Sequence, residues 1–151
     1  MKKLLLILLL ASCLLRPASA QVNVNCSMLD GSNNSNIYNS KYFIIKSAAQ
    51  WKSLPENKVV SNPRTLQTIA AFDFSKQWLL LWFAGDQCNG TQLSGASLQG
   101  DVITLQIFNL QYDVNCHGAK LLVSPWMLIA FDAQPDNKVV IHDDPKDVNC
   151  D

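Results

Sequence analysis

Histidine, glutamate and glycine are scarce in this chain of 151 residues, which holds two histidines, one glutamate and six glycines. Each shortage closes off some chemistry. Glu56 is the only glutamate, and the aspartates gather toward the C-terminus (Asp132, Asp136, Asp143, Asp144, Asp147, Asp151). That distribution does not present the two opposed carboxyls of a glycosidase cleft. His117 and His142 have no G-x-S-x-G or comparable nucleophile motif to serve. Both read as surface or capping residues. An excess of basic charge is also missing, with 12 Lys and Arg against 12 Asp and Glu. Nothing is left over to neutralise phosphates, so nucleic acid is not an expected partner. No apolar run after Leu15 approaches the roughly 20 residues of a membrane-spanning helix.

What is present begins with the leader. Met1-Lys2-Lys3 is charged, Leu4 to Leu10 is unbroken apolar sequence, and Ala18-Ser19-Ala20 offers small residues before Gln21. This is the pattern of a secretory signal peptide over residues 1–20. Removing it takes Lys2, Lys3 and Arg16, leaving 9 basic groups against 12 acidic ones. A second reading uses Leu10-Ala11-Ser12-Cys13, which fits a bacterial lipobox. In that case Cys13 is lipidated and the chain is anchored to the envelope, the one route by which a membrane enters. Arg16-Pro17, breaking the apolar run just before Ala-Ser-Ala, favours cleavage after Ala20. The expected location is therefore periplasmic or secreted.

Export changes how the cysteines read. Cys26, Cys88, Cys116 and Cys150 form an even set in an oxidising compartment, which favours two disulfides over a metal site. Cys116-His117 lacks the spacing of structural zinc ligands. No metal or other cofactor is expected. Three connectivities are open.

Along the chain, residues 21–40 are polar and Asn-rich and read as an N-terminal arm. Tyr42 to Ile45 is a short β run. Ser47 then caps a helix over 48–54 that puts Ala48, Trp51 and Leu54 on one face. Residues 55–66 read as loop, and Thr68 to Phe74 as a strand or turn. Trp78 to Phe83 is continuous apolar sequence, fit for a strand covered on both faces. Its even spacing puts Trp78 and Trp82 on one side. Thr91 to Leu98 follows, with Gly95 hinting at a bulge. Gln99-Gly100-Asp101 makes a hairpin turn. Val102 to Leu110 alternates, with Ile103, Leu105 and Ile107 on one face and Thr104 and Gln106 on the other. Lys120 to Val123 and Met127 to Phe131 flank Ser124-Pro125. Gln134 to Asn137 turns the chain into a last strand, Val139 to Ile141. Residues 41–142 thus make one mainly β domain, an antiparallel meander closing into a small sandwich or half-barrel, and residues 143–151 an acidic tail. Alternate loops of a meander share an end, which favours Cys88–Cys116, with Cys26–Cys150 tying the tails.

Phe72-Asp73-Phe74, the run Trp78 to Gly85, the polar loop ending at Gly90, the hairpin through Gly100 and Pro125-Trp126 resemble the PrcB-type C-terminal domain over residues 42–131. The resemblance implies a small exported β domain that accompanies other envelope proteins, a protease-complex accessory being one namesake, and no catalysis. Where that family often has Gly-Gly-Tyr, this chain has Asn89-Gly90-Thr91-Gln92.

The expected function is a non-enzymatic domain of the bacterial envelope that binds another protein in an accessory or inhibitor-like role. Its expected contact residues are Asp86, Gln87, Asn89 and Gln92, on loops fixed by Cys88–Cys116. A small-ligand carrier with Trp78 and Trp82 lining a cavity is the first alternative. A hydrolase with an unrecognised site is the second.

Overall fold

A computed structural model of the chain describes residues 21–85, 87–88, 90–112, 122–132 and 138–148. The leader with Cys13, the residues Asp86, Asn89, Cys116, His117 and Cys150, and the turn expected at Gln134 to Asn137 lie outside the described residues.

The domain is mainly β, as the alternation requires, and forms a two-sheet sandwich. Strands β1 (Val22–Asn23), β2 (Cys26–Ser32) and β3 (Lys41–Ile45) come first. Helix α1 (Ala48–Ser53), a 3-10 turn (Pro55–Val59) and helix α2 (Pro63–Ala70) follow. Then come β4 (Trp78–Phe83), β5 (Gln87–Cys88), β6 (Thr91–Gln99), β7 (Val102–Tyr112), β8 (Leu122–Val123), β9 (Trp126–Phe131) and β10 (Lys138–Val148). The front sheet has the order β1-β6-β7-β10 and the central sheet the order β2-β9-β4-β3, with β5 and β8 as a short ribbon.

The central sheet explains why 78–83 is apolar throughout. All six residues of β4 and all six of β9 are buried. Trp78, Leu80 and Trp82 of β4, with Met127, Ile129 and Phe131 of β9, face the front sheet's Ile103, Leu105, Ile107 and Val139. Trp78 and Trp82 therefore share a side, as their spacing demands. The alternate residues, Leu79, Leu81, Phe83, Leu128 and Ala130, face the other way, onto Trp51 and Ile69 of the helices and onto Val60. The result is three layers: front sheet, central sheet and helices.

Several local readings hold. Ser47 accepts a hydrogen bond from Gln50 N and so caps α1, and Trp51 is buried. The register of β6 against β7 shifts between Leu93 and Gly95, which is the bulge. Gly100 turns the hairpin at φ 62°.

Four readings are corrected. The loop read over 55–66 and the strand or turn read over 68–74 give way to a helix: α2 runs Pro63–Ala70, capped by Asn62, whose side chain accepts from Arg64 N, and turn follows only after it. The scaffold is not wholly antiparallel, because β10 pairs with β7 in parallel over its whole length, Lys138↔Val102 to Val148↔Tyr112. The acidic stretch Asp143–Asp147 belongs to this strand rather than to a tail. The strand survives because β10 is an edge, where Pro145 loses no ladder bond to a further neighbour. Finally, the polar arm 21–40 is built into both sheets: β1 pairs with β6, and β2 pairs with β9.

The Cys26–Cys150 bridge is not met at Cys26, which carries a free, half-buried thiol whose pKa is raised by desolvation. Cys26 pairs opposite Phe131, and its neighbour Asn25 accepts from Asp132 N, while β10 runs on to Val148 beside Tyr112.

Two predictions follow from these contacts. Gly85 sits at φ 80°, and a Cβ there would lie 2.8 Å from Ser40 N, whereas a Cβ on Gly95 meets nothing within 4 Å. Gly85→Ala is expected to lower stability by about 2 kcal/mol in urea titration and Gly95→Ala to leave it within about 1 kcal/mol. Lys41 Nζ lies 2.7 Å from Glu56 Oε1, and this hydrogen bond holds the Glu56 carboxyl below the ordinary range. A depressed folded value means stability present above the unfolded pKa and lost as pH falls through the folded one. Glu56→Gln is expected to cost about 0.5 kcal/mol at pH 7, a difference that melts at acid pH should no longer show.

Candidate functional site

The sandwich has two outer faces, and they differ. The helices cover the central sheet's outer face. Among the described residues, no element covers the outer face of the front sheet. The parity that buries Ile103, Leu105 and Ile107 turns Thr104, Gln106 and Phe108 outward, where they are half-buried. From β6 the register adds Ser97, Gly95 and Gln92, and from β10 His142, Asp144 and Lys146.

These side chains are held by one another. Lys146 Nζ donates to Gln92 Oε1 at 2.9 Å and lies 5.2 Å from the centre of the Phe108 ring. That places an ammonium over an aromatic face, a cation–π arrangement. Gln106 Nε2 donates to the Asp144 carboxylate at 2.5 Å. Gln21 Nε2 donates to Ser97 Oγ at 2.8 Å. Between these groups runs a groove of about 330 Å³, floored by Gly95 at the bulge and walled by Asn23, Ser97, Thr104, Gln106 and Phe108. Gly95, next to the bulge, has no side chain where the pleat would otherwise raise one.

Of the four contact residues expected from the sequence, the structure places Gln92 on this face. Gln87 sits on β5, whose backbone pairs with Val123 of β8. Asp86 and Asn89 lie outside the described residues. Cys88 pairs with Leu122, directly after the segment that carries Cys116. His142 is exposed beside Gln106 on the open face.

Trp78 is core: it is 1% exposed and its ring stacks on Phe131 at 4.3 Å with the planes 4° apart. Trp82 is 3% exposed, and it forms a wall of a separate cleft of about 390 Å³ between the edges of β3 and β10.

The sequence reading missed Phe108, Lys146 and Asp144 as a group. Period-2 alternation extended one turn of the pattern past Gln106 points to Phe108. Asp144 and Lys146 had no such signal, because Asp-Asp-Pro-Lys-Asp is poor strand sequence. Among the described residues no group of three His, Cys, Asp or Glu side chains is placed to hold a metal ion, and no helix is long and apolar enough to cross a membrane.

Compared with known proteins, the chain matches no family model, no curated protein and no solved structure.

Proposed function

We propose that this is an exported, non-enzymatic domain of the bacterial envelope that binds another protein through the open face of its front sheet, in an accessory or inhibitor-like role. The observation that carries the reading is the unequal treatment of the two outer faces. One is sealed by helices. The other presents an aromatic ring, an ammonium and two amides already fixed by mutual hydrogen bonds. Side chains ordered before contact lose less entropy when a partner arrives. Aromatic centres with polar surroundings are the usual anchors of protein interfaces. The leader's charged start, apolar run and Ala-Ser-Ala site support export with cleavage after Ala20, with lipidation at Cys13 as the alternative processing. The resemblance to the PrcB-type C-terminal domain supports an accessory rather than a catalytic role. A Cys88–Cys116 bridge belongs to the same reading, supported by the pairing of Cys88 with Leu122 at the end of the segment carrying Cys116.

Two measurements test it. Cross-linking in intact cells followed by affinity capture should recover a protein with the native chain and lose it with Gly95→Leu and with the pair Phe108→Ala and Lys146→Glu. All variants should be first shown to melt cooperatively. Capture unchanged by these substitutions removes the open face from consideration. Peptide mapping of envelope-derived material without reduction should yield a linked Cys88–Cys116 fragment, and its loss should cost about 3 kcal/mol of stability.

A further inference from the structure

The cleft between the two strand edges has a chemistry of its own. It opens where β3, the edge of the central sheet, and β10, the edge of the front sheet, part from each other. Ser40, Lys41, Tyr42, Trp82, Ile141 and Asp143 line it. Tyr42 reaches across its lower end, its hydroxyl 3.5 Å from Val139 O, and keeps 44% of its surface exposed. Lys41 does not bring its charge into this space. Its ammonium lies 2.7 Å from Glu56 Oε1 and 5.4 Å from the centre of the Phe43 ring, on the helical side of the sheet. The charge left in the lining is the Asp143 carboxylate. Asn109 Nδ2 steadies one of its oxygens at 3.2 Å, and among the described residues no cation pairs with it. The Asn109 Oδ1 beside it is buried without a hydrogen-bond partner. Two aromatic rings, an aliphatic wall and one unmatched carboxylate describe a receptor for an organic cation.

We propose that this cleft receives a lysine side chain presented by the partner protein, its methylene stem along Ile141 and Tyr42 and its ammonium between the Tyr42 ring and the Asp143 carboxylate. The stem separates lysine from a bare ammonium ion, and the compact head suits a single carboxylate better than the two-pronged guanidinium of arginine. The opening between two strand edges admits a side chain held on an extended segment. The proposal rests on the reading that the domain binds another protein and names what that protein brings.

The test is a titration of the full chain with a short Ser/Thr peptide carrying one central lysine, up to about 10 mM, read by NMR at the Trp82 indole and the Tyr42 ring. A peptide with norleucine in place of lysine is the neutral control. The lysine peptide should give saturable shifts at both groups and the norleucine peptide none. Asp143→Asn and Tyr42→Ser should each weaken binding about tenfold. Tyr42→Phe, which keeps the ring, and Asp30→Asn, which makes the same charge change on β2 at the opposite edge of the central sheet, should bind as the native chain does. Equal shifts with norleucine, absence of saturable shifts in the native chain, or full retention in Asp143→Asn would overturn the proposal. Because the peptide assay uses no partner and does not touch the open face, its failure is separable from failure of the capture experiment.

Discussion

The structure depends on one layer buried from both sides. The twelve residues of β4 and β9 have no solvent face, so every second side chain must find an apolar partner above the sheet and every other one below it. Above, the front sheet supplies Ile103, Leu105 and Ile107. Below, two helices and a 3-10 turn supply Trp51, Ile69 and their neighbours. The helical layer does not stand alone. Helix α1 has six residues and α2 eight, too short to hold in water without packing. The helices exist because the sheet needs a lid, and the sheet can be this apolar because they provide one.

Among the described residues, the opposite outer face is bare. The front sheet's buried apolar residues lie on its inner side, while the same parity turns Val102, Leu110 and Val140 outward with Thr104, Gln106, Ser97 and Phe108. Ordinary solvation would need only the polar residues. The added aromatic and the ammonium held over it by Gln92 go beyond what solubility asks, and that surplus is the physical content of the binding proposal.

How far the sequence could be read follows from how local each signal is. Alternation at 102–110 and the solid run at 78–83 are short-range patterns set by burial, and both strands stand where the pattern put them. The Ser47 cap is equally local. Asn62-Pro63 is a cap followed by proline in the first turn, the same kind of signal, and reads as a helix start once Ile69 is seen to be buried. The parallel pairing of β10 with β7 had no local mark. It arises because the chain leaves the central sheet after Phe131 and re-enters the front sheet at Lys138, whose N–H meets Asp101 O beside the hairpin. Asp143 to Asp147 carry residues that disfavour strands, and only an edge position with a long neighbour makes them one. Of the candidate site, Gln92 was expected on the loop beside Cys88 and stands instead on strand β6, while Phe108 and Lys146 needed the register.

That edge strand also ties the two proposed surfaces together. Successive residues of a strand point to opposite sides, so Asp143 and Asp144 diverge. Asp144 meets Gln106 on the open face, and Asp143 meets Asn109 and enters the cleft. Charges along an edge commonly serve to prevent pairing with another chain, and Pro145 works in the same direction. Here the pairing register shows that the acidic residues are not interchangeable blunting groups. Each is held by a different amide donated from β7, and each faces a different space. An edge protected only against aggregation would need neither amide. In the two proposals β10 therefore carries one carboxylate to each side of the sheet, Asp144 to the open face and Asp143 to the cleft.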